Sequence, residues 1–470
     1  MTDKAVSISI TIKAGNKAEI IQKDLPIQEM EQMISSLGQE VSGRVMMVIL
    51  DELDEEIRSH VPGSWRNIGR ERRQVVFSHG HIHYARRIYR DGKGQRRKPL
   101  DELLGLEAYQ RNSQKVQKMG SVLAAQTSYR MAAQGLSYIV KASISPGSIQ
   151  RMVWATGGRI TQQEAVFRSE QAGKVPAEVL YAESDGVWIH LQRERLKRLE
   201  ARVAVMYTGK KRVGKGRFGL ENKAVMTQIG GDSLDWQVKL RELADHSYDL
   251  EHTQLLVVGG DGNRWVRQSF DLFNLPQEHV LDRYHVKRAL CQSYGHMLHV
   301  PQLSRRLFSA GFEAVAPELM ACIRRARGKQ QERMRQTFAY LENNRDALVD
   351  LDKRGLKPRH FHSLGSIEGN VDKLAVHRMK GRGCCWRIAG AQAMLAILRH
   401  KHELLQHTFL YQPVIQPARP INRVKASPLQ RTYIPPGAGM PIFQGCDQDK
   451  PWVRKLKSKM DSEPSLTRFF

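Results

Sequence analysis

Apolar residues at Met30, Ile34, Leu37, Val41, Val45 and Val48 recur at helical spacing along one stripe, which predicts one or two helices over 27–59. The acidic end of that segment, DELDEE, reads as a solvated face, and the stretch as a packing or dimerisation element. The period then changes. In 74–90, QVVFSHGHIHYARRIYR, apolar and polar positions alternate and β-formers dominate, so strands are expected, with His79, His81 and His83 on one partly exposed face and a basic turn, RDGKGQRRKP, behind them. Helical spacing returns over 113–156. Ser128 fits the cap of a helix containing Tyr129, Ala132, Ala133 and Leu136. Ser145 fits the cap of another, with Pro146 at its first position, Ile149, Met152 and Val153 as its stripe and Gly157-Gly158 as its stop. A capped helix carrying Gln150 and Arg151 outward after a turn gives a helix-turn-helix pattern, which any small helical hairpin also produces.

Five short β-rich runs follow: AEVLYAESDGVWIHLQRE, ARVAVMYTGK, NKAVMTQIG, TQLLVVGGDGNRW and EHVLDRYH. A helical stretch, SLDWQVKLRELADH, separates the third from the fourth, so a mixed α/β sheet is expected. Segment 286–357 lacks strand signals and reads as a helical insertion. GSIEGNVDKLAVHRMKGRG and an apolar helix near 388–405 come next. From 411 onward lie 9 of the 18 prolines, a basic tail with little core. The expected fold class is α+β and multidomain. Its parts are a helical segment (1–60), a basic strand-rich segment (61–112) and a helix-turn-helix DNA-binding region (113–160). A core in two pieces (177–285 and 358–410) is interrupted by the insertion (286–357), and the tail (411–470) ends the chain.

Charge narrows the partner. The 470 residues hold 74 Lys+Arg against 48 Asp+Glu, a formal net charge of +26, which favours a polyanion. The excess starts late: residues 1–60 carry 6 basic and 11 acidic side chains, residues 61–130 carry 15 and 5. No apolar run approaches the roughly 20 residues of a membrane span, and MTDKAVSISI has no secretory pattern. The five cysteines form no C-x-x-C pair, so neither a disulfide framework nor a zinc ribbon is expected, and a reducing cytoplasm is the expected compartment.

Three carboxylates are the candidate chemistry. Asp185 begins the strand DGVWIHLQ, Asp261 ends LLVVGGDG, and Glu368 starts a helix in SIEGNVDK. Carboxylates so placed can converge at one sheet edge. Divalent cations need hard oxygen ligands, and phosphoryl transfer on nucleic acid is served by two of them about 3.5–4 Å apart. Each acid is flanked by glycine (Gly186, Gly262, Gly369), which permits close backbone approach. Forty-eight acids yield many such triples, and on spacing alone Glu183, Asp232, Asp282 and Asp372 remain open.

The ordered set SYRMAAQGLS, SDGVWIHLQRE, GGDGNRW, LDRYH and GSIEGNVDKLAVHRMKGRGCCW resembles the ISLre-type insertion-sequence transposases, which belong with the Mutator-like DDE transposases. The resemblance covers roughly residues 25–405, and no motif after 411 matches. It implies an RNase H-like catalytic core, with Asp185, Asp261 and Glu368 as the metal-binding triad for two Mg²⁺ (or Mn²⁺). It also implies that 286–357 is that group's all-helical insertion, and that Asp282-x-x-His285 matches its signature at the last core strand. The expected activity is cleavage at the element's terminal inverted repeats, leaving a 3′-hydroxyl that attacks target DNA, by a homodimer or larger assembly on bacterial nucleoid DNA.

Other residues fit such a partner. Gln150 and Arg151 would reach base edges; Arg96 and Arg97, Lys210, Lys211 and Arg212 in KKRVGKGRFG, and Lys373, Arg378 and Lys380 beside Glu368 would contact phosphates. Trp188, Trp265 and Trp386 would stack on opened ends or pack in the core. His285 would position a water or phosphate, and is expected to act in catalysis beside the triad. The competing functions are a catalytically silent DNA-binding regulator and an RNase H-type metal-dependent nuclease.

Overall fold

A hairpin, β1 (Ala5–Ala14) and β2 (Lys17–Pro26), precedes the first helix, so the N-terminal segment is not purely helical. The strict alternation of SISITIK explains it: Ile8, Ile10 and Ile12 share one face and pack near Leu37. These residues belong to a computed structural model describing 5–14, 17–26, 30–167, 174–355, 364–381 and 383–409. The expected tail, 411–470, lies outside the described residues. Helix α1 (Met30–His60) is continuous. Its DELDEE end is not a solvated face throughout, because Asp54 is buried and accepts hydrogen bonds from the Arg87 backbone (2.9 Å) and guanidinium (2.8 Å). That pair fastens α1 to the antiparallel strands β3 (Arg66–Phe77) and β4 (Gly80–Arg90). Arg73 and Arg86 likewise close on buried Asp101, so part of the basic segment's charge is neutralised internally. His79 falls in the β3–β4 turn, while His81 and His83 stay on the exposed strand face.

Three helices follow, α2 (Gln114–Gln126), α3 (Tyr129–Val140) and α4 (Pro146–Phe167). The Ser113 and Ser128 hydroxyls accept from Val116 and Met131, and Ser145 accepts from Ser148, as N-caps do. Gly157-Gly158 does not end α4, which runs on to Phe167. Gly157 is instead a crossing point: a Cβ there would lie 2.5 Å from the Ala393 Cα, so only glycine lets the two helices touch. The three helices share one core with the sheet, through Val116, Leu136, Ile149 and Val153 on one side and Tyr181, Val203 and Val205 on the other. They are therefore not an independent domain, contrary to the division expected at 160.

All five β-rich runs become strands of one sheet: β5 (Val179–His190), β6 (Arg198–Tyr207), β9 (Ala224–Ile229), β10 (Leu255–Gly260) and β11 (Gln277–Leu281). Between β6 and β9 the basic KKRVGKGRFG forms a separate hairpin, β7 (Gly209–Gly214) and β8 (Arg217–Glu221). The sheet order is β9-β6-β5-β10-β11, antiparallel up to β5 and parallel beyond it. Helix α5 (Ser233–Ser247) covers one face with Trp236, Leu240 and Ala244. The insertion is helical, as expected, with α6 (Arg283–Tyr294), α7 (Val300–Ala310), α8 (Ala316–Arg325) and α9 (Gly328–Asn343) around their own apolar core.

The chain returns to the sheet through α10 (Ile367–Val371), which continues through a π-helical turn at Asp372–Val376 into His377–Met379. Helices α11 (Ile388–Arg399) and α12 (Lys401–Phe409) complete the described part. No described helix is long and apolar enough to cross a membrane.

His400 ties α12 to α4, with Nε2 2.7 Å from Glu164 and Nδ1 2.9 Å from Glu403. Its pKa is raised above 6.5, first by the Glu164 hydrogen bond, with burial opposing. A raised folded-state value stabilises fully below the unfolded pKa, and the gain is lost as pH rises through the folded one. Wild type should therefore melt above His400→Gln by most at pH below about 6.5, with the two curves converging at higher pH. A pH-independent gap would contradict the linkage.

Candidate active site

Strand β5 puts alternate residues on opposite faces, so Tyr181, Glu183 and Asp185 share the face that carries α10. Asp185 sits within β5 rather than at its start, and its Oδ1 accepts from the Gly186 N–H at 2.7 Å. Gly186 leaves room here: a Cβ would lie 2.3 Å from Glu200 Oε1 on β6, so any other residue would displace the Glu200 carboxylate from beside Asp185. Asp261 follows β10 directly and accepts from the Asn263 N–H at 2.9 Å. Its carbonyl takes the Tyr340 hydroxyl of α9 at 2.8 Å, so the insertion braces the turn. Gly262, at φ +83, makes that turn possible. Asp282 caps α6, with Oδ1 accepting from Tyr284 N and Oδ2 2.7 Å from His285 Nδ1.

Glu368 occupies the first turn of α10, and Glu183 fixes where that turn lies. The buried Glu183 carboxylate accepts from the N–H groups of Gly365 (2.8 Å), Ser366 (2.9 Å) and Ile367 (3.2 Å), and from the Tyr207 hydroxyl (2.7 Å). It is the cap of the Glu368 helix, supplied from the strand that also carries Asp185.

These elements bring Asp185, Asp261, Glu368 and His285 into one cleft of about 490 Å³, with Glu200, Asp372, Arg288 and Lys380 also lining it. Ligand atoms of Asp282, His285 and Glu368 all lie within 4.8 Å of one another. The electrostatics are those of crowded like charges. Burial, then Asp261 and Asp282, push the Asp185 carboxyl up against the pull of Gly186 and His285. Burial, then Asp282 and Asp185, do the same to Glu368. Glu200 is raised by burial, Asp261 and Asp185, with Arg202 opposing. The Asp282 hydrogen bond raises His285, helped by Asp185 and Asp261. Among the described residues the donor atoms close enough to share one ion are those of Asp282, His285 and Glu368, with Asp185 and Asp261 lining the same cleft; their oxygen donors would suit a hard divalent cation such as Mg²⁺ or Mn²⁺, which would relieve their repulsion.

Of the acids left open by spacing, Asp372 lines the cleft and Asp282 adjoins it, Glu183 stands behind it, and Asp232 is elsewhere, capping α5 through Leu234 N. Lys380 faces the cleft and Lys373 is exposed near it. Arg378 is not a surface cation: it is 8% exposed, donates to the Ala124 carbonyl and lies over the Tyr129 and Trp386 rings. Burial also lowers its pKa, so it serves packing rather than phosphate contact. Lys211 and Arg212 are exposed on the β7–β8 hairpin, while Lys210 is half-buried over Tyr207. Arg96 is exposed; Arg97 is paired with Glu102 at 2.8–2.9 Å and stacks over Trp65. Arg151 is exposed on α4 and Gln150 half-buried. Trp188 stands exposed at the cleft, whereas Trp386 is buried and Trp265 packs on Trp236.

Glu200, Arg288 and Tyr284 were not legible as site residues. Glu200 reaches the cleft only because the β5–β6 register sets it opposite Trp188.

The chain matches the model of a family described as "Uncharacterised protein family (UPF0236)" over residues 20–406. It is also 27% identical, over 397 residues, to "UPF0236 protein in vanSb 3'region" of Streptococcus gallolyticus, covering 81% of this chain and 84% of that protein.

Proposed function

The chain belongs to the uncharacterised protein family UPF0236, and on that premise we propose that it is a DNA transposase that cuts at the ends of its own element and joins them to target DNA. The observation that carries this reading is the convergence of Asp185, Asp261 and Glu368, from two strands and a helix, beside the Asp282–His285 pair. The sheet order supports it. Counted along the chain the order is third, second, first, fourth, fifth, parallel from the first strand on, which is compatible with the RNase H-like core that the resemblance implies. The helical insertion lies between Asp261 and Glu368, as the resemblance to ISLre-type transposases implies.

Asp185, Asp261 and Glu368 would hold the cations. Bound divalent ions supply stabilisation of the attacking and leaving oxygens of a phosphodiester. The chain's own groups do the rest. Asp282 holds His285 by Nδ1, which leaves Nε2 to donate to a phosphate oxygen. Arg288 and Lys380 at the cleft attract the backbone, and exposed Trp188 and Tyr284 offer ring faces to an opened base. Glu183 fixes the Glu368 helix. Two ends must be handled together, so a homodimer or larger assembly on bacterial nucleoid DNA belongs to the proposal.

Cation binding tests the site. Mg²⁺ or Mn²⁺ at about a hundredfold over Kd should stabilise the wild type by about 2.7 kcal/mol in thermal melts, and Asp261→Asn much less. Inverted repeats flanking the gene, with short direct repeats outside them, should accompany this result. Absence of both the melting shift and the repeats would refute the reading.

A further inference from the structure

A second recess, of about 600 Å³, shares no lining residue with the candidate active-site cleft and lies between the 107–112 loop and the first half of α4. Three guanidiniums line it, Arg111 from the loop and Arg151 and Arg159 from α4, against the single carboxylate of Glu107. Arg159 is half-buried, and its hydrogen-bond partner is the neutral Gln117 amide oxygen at 2.6 Å. Burial pulls its pKa down, with Glu107 acting only through space. A partly desolvated cation with a neutral partner is unfavourable until an anion arrives. The loop is held in advance: Arg73 donates to the Glu107 and Gln110 carbonyls, both at 2.8 Å, and the Arg111 carbonyl accepts from Val76 N at 2.8 Å. The loop backbone that carries Arg111 therefore needs little ordering on binding.

We propose that this groove seats backbone phosphates of duplex DNA on Arg111, Arg151 and Arg159. The inference rests on the DNA-binding reading above and changes the expected role of Arg151. A side chain that reads base edges must project from its helix into the major groove. Arg151, though exposed, lines the recess together with the loop and donates to Ser148 Oγ at 3.2 Å, which places it to meet the strand's anionic edge. The groove positions DNA and carries no sequence preference.

The test is fluorescence anisotropy of the full chain on two duplexes of about 30 base pairs, one carrying the element end and one of random sequence, across a salt titration. Arg111→Gln and Arg151→Gln should each weaken both duplexes alike, roughly tenfold at low salt. Each should also lower the salt slope by about one. Arg111→Lys and Arg151→Lys, with melting curves alongside, should keep the slope and so separate charge from folding. Loss confined to the element end would overturn the proposal in favour of base reading. Unchanged affinity and slope in the Gln variants would overturn the groove while leaving the DNA-binding reading intact. A wild type that binds neither duplex would overturn that reading and the groove with it.

Discussion

Asp185→Asn is expected to melt higher than the wild type in the absence of divalent cations, and to lose end cleavage. Both results come from one cause. The Asp185 carboxyl is raised by burial and by Asp261 and Asp282, so its charge is unfavourable in the metal-free fold at neutral pH. Removing that charge relieves the fold and keeps the Gly186 hydrogen bond, since Asn retains an acceptor oxygen. On the proposed reading it also removes a cation ligand. A bound cation contributes several kcal/mol to the transition state, so cleavage should fall by about a thousandfold or more. Differential scanning fluorimetry in EDTA, with single-turnover cleavage in Mg²⁺, reads both. A variant that melts lower and cleaves normally would make Asp185 a structural residue.

Glu183 gives the second large effect. Its carboxylate is the acceptor for three backbone N–H groups and the Tyr207 hydroxyl, in a buried position. Glu183→Ala leaves four donors without that acceptor and should cost on the order of 3 kcal/mol or more in urea denaturation. Glu183→Gln is the more informative change. It keeps the volume and one oxygen, but its amide N–H₂ faces donors, so the first turn of α10 must shift. Because Glu368 sits in that turn, half-maximal cleavage should need more Mg²⁺ than in the wild type even where Glu183→Gln remains folded. An unchanged Mg²⁺ requirement would limit Glu183 to stability.

The sequence carried the strands and the helical stretch after them because each has a local signature, while Asp185, expected at a strand start, lies inside its strand. The β-rich runs are short and apolar, and Ser128 and Ser145 stand where caps must stand. What stayed hidden depends on contacts distant in sequence. Gly157-Gly158 looks like a helix stop until Ala393, more than two hundred residues later, is seen against it. Asp54 looks solvated until Arg87 reaches it. Arg378 looks like a phosphate contact until Ala124 and two aromatic rings enclose it. The hairpin at Ala5–Pro26 falls where a helical segment was expected, although the alternation of its isoleucines is the signal that could have found it. Glu183 could also be found, two residues before Asp185 and so on the same strand face, but only the fold shows that it caps the Glu368 helix.

The central claim is that the cleft cuts DNA at the element's own ends. The most direct measurement is incubation of the purified chain with a labelled duplex spanning the element end and its flank, with Mg²⁺, with EDTA, and with Asp261→Asn in Mg²⁺. A Mg²⁺-dependent break at the boundary that leaves a 3′-hydroxyl is expected, followed by joined products when target DNA is added. Neither is expected in EDTA or with Asp261→Asn. Specific binding to the end without cleavage under any divalent cation, or cleavage that persists in Asp261→Asn, would contradict it.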